Sequence, residues 1–159
     1  MGTAPSAAER RTVLVVDYPL FAHDLAGWLG RRGYQVEWLV PQALSVEMFG
    51  KVCRVLAPPF VASINFSPEL ALLCTMAKTP YVSWTVDPLG PERFKLYPGT
   101  DPALVLAFAH RRETVERLRA IGFGDAEYLP LAASGRRQSL SDDPELERYR
   151  APISFVGSS

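Results

Sequence analysis

The chain has 159 residues, enough for one domain that buries roughly 70% of its unfolded surface and needs no staples to hold a core. Lys plus Arg and Asp plus Glu both number 17, so no broad basic face for nucleic acid or anionic lipid is implied. The pairs Arg10-Arg11, Arg31-Arg32, Arg111-Arg112 and Arg136-Arg137 read as solvated helix ends and loops. Cys53 and Cys74 lie too far apart for a Cys-x-x-Cys metal or redox motif and read as reduced, part-buried thiols.

Met1 to Arg11 is small and polar and reads as a flexible lead-in. It has no apolar signal-peptide core, and no run approaches the roughly 20 apolar residues of a membrane span, so a cytoplasmic protein is expected. Thr12 to Val16 is apolar and rich in β-branched residues, which suits a strand covered on both faces in a parallel sheet. Leu20 to Arg32 carries Leu25, Trp28 and Leu29 at helical spacing, with Gly33 placed to close the helix. Gln35 to Val40 alternates as a second strand, and Pro41 to Lys51 reads as a short helix or turn. Phe60 to Phe66 is a third strand after the Pro58-Pro59 break. Ser67-Pro68-Glu69 then opens a helix with an N-cap serine and a proline at its first position, running to about Lys78.

Pro80 to Val86 is a fourth strand ending at Asp87-Pro88, and the stretch from Pro88 to Pro102, with Pro91, Pro98, Gly90 and Gly99 inside it, is a loop. Ala103 to Ala109 is a fifth strand, Arg111 to Ile121 a helix closed by Gly122, and Ala126 to Leu131 a sixth strand. This alternation predicts an α/β fold, a Rossmann-like doubly wound parallel sheet over residues 12–138. Ser139 to Pro152 is polar and reads as an interdomain linker. Ile153 to Val156 with Gly157-Ser158-Ser159 reads as the first strand and glycine turn of a second domain, so the chain is expected to be a truncated fragment.

Ligands of such sheets bind outside the carboxyl ends of the strands. That rule selects Tyr18, together with Asp17, after the first strand, Asn65 and Ser67 after the third, Trp84 and Asp87 at the end of the fourth, and His110 after the fifth. His23, at the start of the first helix, overlooks the same edge. Each has a plainer reading: Ser67 as a helix cap, Asn65 as a pin for its turn, His23 as a structural histidine. Asp87 carries the strongest chemical case, because a carboxylate at a strand end before a proline-rich loop is held in place and can accept a proton. Asp-Pro is equally a turn starter.

Several nucleotide and hydrolase sites are excluded. After the first strand stand Asp17-Tyr18-Pro19-Leu20-Phe21-Ala22 rather than Gly-x-Gly-x-x-Gly, and neither Gly-x-x-x-x-Gly-Lys-Ser/Thr nor Gly-x-Ser-x-Gly occurs. A phosphoacceptor receiver domain needs an aspartate after the third strand, where this chain has Asn65.

Four stretches carry a family resemblance: Ile64-Asn-Phe-Ser-Pro-Glu-Leu-Ala-Leu-Leu-Cys74, Thr79-Pro-Tyr-Val-Ser-Trp-Thr-Val-Asp-Pro88, Glu127-Tyr-Leu-Pro-Leu-Ala132 and Ile153-Ser-Phe-Val-Gly-Ser158. In this order they resemble the amino-terminal domain of CgeB-like (spore maturation protein-like) glycosyltransferases. The resemblance runs from about Val13 to the end and departs at Asp87-Pro88-Leu89, where relatives often carry another residue between aspartate and proline. It implies the amino-terminal half of a GT-B architecture, with the acceptor held by this domain and a nucleotide-sugar donor by the second. It further implies metal-independent hexosyl transfer without a cofactor. Asp87 would then be the catalytic carboxylate, Asn65, Ser67, Trp84, Tyr18, His23 and His110 would touch substrate, and Gly157 and Ser158 would approach the donor. The alternative is a non-catalytic Rossmann-like binding or interaction module. Continuation of the reading frame beyond Ser159 separates the two.

Overall fold

The computed structural model describes residues 11–19, 21–40, 45–123 and 125–131. The expected linker, the strand at 153–156, and Gly157 and Ser158 therefore lie outside the described residues, as does nearly all of the amino-terminal lead-in.

Among the described residues, six parallel strands form one sheet: β1 (Thr12–Val16), β2 (Gln35–Leu39), β3 (Val61–Ile64), β4 (Tyr81–Thr85), β5 (Val105–Ala109) and β6 (Glu127–Tyr128), in the order β2-β1-β3-β4-β5-β6. The fold is a Rossmann-like, doubly wound α/β sheet. Val15 pairs with Ala62 across β1 and β3, and Trp84 with Phe108 across β4 and β5. The chain winds outward from β1 to β2, then reverses past β1 to β3, so the switch point lies between β1 and β3.

Alternation along the strands sends side chains to two separate cores. On one face, Leu14, Val61, Tyr81, Val105 and Ala107 pack beneath α2 (Val46–Leu56), α3 (Pro68–Met76) and α4 (Arg112–Ala120). On the other, Val13, Val15, Ala62 and Ile64 meet Ala22 and Leu29 of α1 (Ala22–Arg31). One helix on one face and three on the other is what right-handed crossovers produce when the winding direction reverses once.

The helix boundaries follow local chemistry. Gly33, at φ +88°, follows the end of α1, and its N–H bonds to the Gly30 carbonyl. Ser67 caps α3 by accepting the Leu70 N–H at 3.2 Å, with Pro68 in the first turn. The segment expected as a short helix or turn over Pro41 to Lys51 is corrected. The helix there begins at the Ser45 cap, whose hydroxyl accepts the Met48 N–H at 3.2 Å, and runs 11 residues to Leu56, with Ala57 in the left-handed region. Phe49 and Cys53, one turn apart, anchor it in the core. The loop after β4 is not wholly irregular, since Pro91–Arg93 and Pro102–Leu104 each form a 3₁₀ turn. Cys53 and Cys74 are buried free thiols, and burial pushes both above the ordinary thiol range.

Candidate functional site

The carboxyl ends of β1, β3 and β4 surround an open cleft of about 700 Å³ at the switch point. The ladder carries order into it. Asp17 N–H bonds to the Leu39 carbonyl at 3.0 Å, and Asn65 N–H to the Trp84 carbonyl at 2.8 Å, so both residues continue their strands into the cleft rim.

Asn65 adopts φ +64°, a left-handed conformation that asparagine tolerates better than most residues. This turn aims its amide across the sheet at the end of β4. Asn65 Oδ1 accepts the backbone N–H groups of Val86 and Asp87, each at 3.0 Å, and Nδ2 donates to Asp87 Oδ2 at 2.7 Å. Tyr18 Oη also donates to Asp87 Oδ2. One carboxylate oxygen is therefore held by two donors from two other strands. Oδ1 accepts no hydrogen bond among the described residues, which leaves it as the oxygen available to a ligand. The bond to Asp87, reinforced by desolvation and by the carboxylate's charge and opposed only by Asn65, raises the Tyr18 phenol above its ordinary range. Tyr18 is thus a proton donor that orients Asp87 rather than a phenolate base.

Beneath this triangle lies a buried relay. Ser63 Oγ donates to the Asn65 carbonyl at 2.8 Å, so its single proton is committed, and Tyr81 Oη, 2.6 Å away, must donate to Ser63. Tyr81 Oη in turn accepts the Ser67 N–H at 3.1 Å. Tyr81 is fully buried, and that burial pushes its phenol far above the ordinary range. The relay fixes the turn from Asn65 to Ser67 from below.

A second polar group closes the other side of the cleft. Glu69 accepts from Ser67 Oγ at 2.9 Å and from Tyr97 Oη at 3.0 Å, and Arg93 lies near enough to act on its charge. Partial burial pushes the Glu69 carboxyl up, but its backbone, Ser67, Tyr97 and Arg93 together outweigh that effect and hold it below the usual range. Leu70, Leu73 and Leu89 supply apolar wall.

Of the residues selected from the sequence, Tyr18, Asn65, Ser67 and Asp87 line this cleft together, with Asp17. Trp84 does not. Strand alternation turns it to the α1 face, where it meets Phe21 edge-on at 5.8 Å and its indole N–H donates to the Leu129 carbonyl at 3.1 Å. His110 sits at the end of β5 against the Thr85 carbonyl and is outside the cleft lining. His23 is exposed beside the rim, 3.8 Å from Asp17 Oδ1 and tilted against Trp38 at 4.7 Å. Glu69, Arg93 and Tyr97 escaped the sequence reading. Glu69 had a signal as the acidic residue behind a Ser-Pro helix start, whereas Tyr97 reaches it from 28 positions away along an irregular loop. Among the described residues, no cluster of three or more His, Cys, Asp or Glu is placed to hold a metal ion, and no helix is long and apolar enough to cross a membrane.

No protein-family model and no curated protein matches this chain. Among solved structures, the chain is similar to dTDP-4-dehydrorhamnose reductase from Bacillus anthracis str. Ames in complex with NADP. The TM-score is 0.43 at 8% identity, over 77% of this chain and 54% of that one. The chain thus spans about half the length of that reductase, and the match supplies no residue-by-residue correspondence to the cleft.

Proposed function

We propose that this domain is the acceptor-binding half of a glycosyltransferase that moves a sugar from a nucleotide-sugar donor to a hydroxyl. The observation that carries the reading is the Tyr18–Asp87–Asn65 triangle at the switch point: two donors hold one oxygen of a carboxylate that lines a cleft of substrate size and leave the other without a hydrogen bond among the described residues. An acceptor hydroxyl placed there donates its hydrogen to Asp87 Oδ1. As the hydroxyl oxygen bonds to the anomeric carbon and the donor's nucleoside diphosphate leaves, Asp87 takes the proton. A base in this position supplies about 10²- to 10⁴-fold in rate. Four sequence stretches in the order found in CgeB-like glycosyltransferases support the same reading. So does the absence of a dinucleotide glycine motif after β1.

The donor would be held by a second domain, so the 159-residue chain alone is expected to fold and to transfer nothing. The test is a transfer assay with mixed nucleotide sugars, run on this chain and on the product of the whole reading frame. Transfer by the longer protein and none by the chain supports the reading. A stop codon after Ser159, or a longer protein that binds hydroxylated ligands without transfer, favours the non-catalytic binding module.

A further inference from the structure

The charge inventory of the cleft says which hydroxylated compound it takes. Three carboxylates line it, Asp17, Glu69 and Asp87, against one cation, Arg93. Arg93 acts on the charge of Glu69 from a distance and forms no ion pair with it among the described residues. The remaining two carboxylates stand at the ends of β1 and β4, on either side of the switch point. The amino-terminal end of α3, the element here most apt to draw a phosphate, is already taken: Ser67 Oγ caps the Leu70 N–H, its hydroxyl donates to Glu69, and the Glu69 carboxylate occupies the first turn. A phosphorylated or carboxylated ligand would therefore meet three carboxylates, with Arg93 alone to offset them among the described lining residues.

We propose that the cleft selects a polyhydroxylated amine, an amino sugar or aminocyclitol, with its ammonium group at Asp17 and a hydroxyl at Asp87 Oδ1. This rests on the acceptor-binding reading above and adds the ligand's charge to it. Asp17 suits the ammonium because, among the described residues, its carboxylate has only the loose 3.8 Å approach of His23, and both side chains are more than half exposed. Asp87 suits the hydroxyl because Tyr18 and Asn65 both bond to Oδ2 and leave Oδ1 without a hydrogen bond among the described residues. Leu70 and Leu73 provide the apolar floor against which a ring face can rest.

The test is a set of amide-shift titrations of the ¹⁵N-labelled 159-residue chain with 2-deoxystreptamine, methyl α-glucoside and glucose 6-phosphate, at low and moderate salt. Shifts should centre on Asn65, Ser67 and Asp87. The amine should bind at least about threefold tighter than the neutral glycoside at low salt, the gap should narrow as salt rises, and the phosphate should bind weakest. Asp17→Asn should weaken the amine about threefold more than it weakens the glycoside, with amides far from the cleft unshifted. Equal affinity for amine and glycoside, or tightest binding of the phosphate, overturns the amine selectivity while leaving the acceptor reading in place. If none of the three ligands shifts the cleft amides, the acceptor reading itself fails, and this proposal with it.

Discussion

Asn65 holds Asp87 at both ends: its Oδ1 accepts the Asp87 backbone N–H at 3.0 Å, and its Nδ2 donates to the Asp87 carboxylate at 2.7 Å. The end of β3 thereby sets both where the end of β4 lies and how its side chain is turned. Because Asn65 also sits at φ +64°, two effects can be separated by substitution. Asn65→Ala removes the clamp and strains the backbone, and should cost about 2 to 3 kcal/mol in denaturant unfolding. Asn65→Gly removes the clamp alone and should cost about 1 kcal/mol less. Equal losses for the two would show that the left-handed turn carries no strain for alanine.

The relay beneath the turn predicts a second loss. Tyr81→Phe leaves the Ser67 N–H and Ser63 Oγ without their shared partner in a buried setting. Thermal or urea unfolding should show about 1 to 3 kcal/mol of destabilisation with the core otherwise filled. A change under about 0.3 kcal/mol would mean that the turn is fixed by the α3 cap alone.

Much of this was legible in the sequence, for reasons that differ by residue. Strands covered on both faces read as unbroken apolar runs, which is why Thr12 to Val16 was visible at once, and Ser67-Pro68 marked its helix start by chemistry that acts within four residues. The α2 boundaries are less legible because Pro41 offers a competing start to Ser45, whose cap and the Phe49 and Cys53 spacing mark the helix. Tyr18, Asn65 and Asp87 followed from the rule that ligands gather at strand carboxyl ends. That they touch follows only from the strand order, which sets β3 between β1 and β4 and which no local pattern states. Trp84 shows the rule's limit. Alternation with Tyr81, Ser83 and Thr85 assigns it to the opposite layer, which strand position alone does not state.

Glu69 gives the site an acid dependence of known sign. Its carboxyl is held below the usual range in the folded chain, so its contribution is present above the unfolded value near 4.5 and is lost as pH falls through the folded value. Glu69→Gln should be less stable than the parent at pH 7, by under about 1 kcal/mol because the group is exposed. The gap should close as pH falls below 4.5 and through the folded value. A gap that does not narrow at all as pH falls below 4.5 would assign the effect to packing rather than to charge.

The central claim is that Asp87 takes a proton from an acceptor hydroxyl, and Asp87→Asn addresses it most directly. Asparagine keeps an acceptor oxygen for Tyr18 and Asn65 but cannot receive the proton. Activity per folded molecule and melting temperature should be measured on the same variant of the whole-frame protein. The account predicts at least about a 10²-fold loss of sugar transfer with an essentially unchanged melting temperature. Near-normal transfer with a lowered melting temperature would contradict it and leave Asp87 as a residue that only ties the turn together.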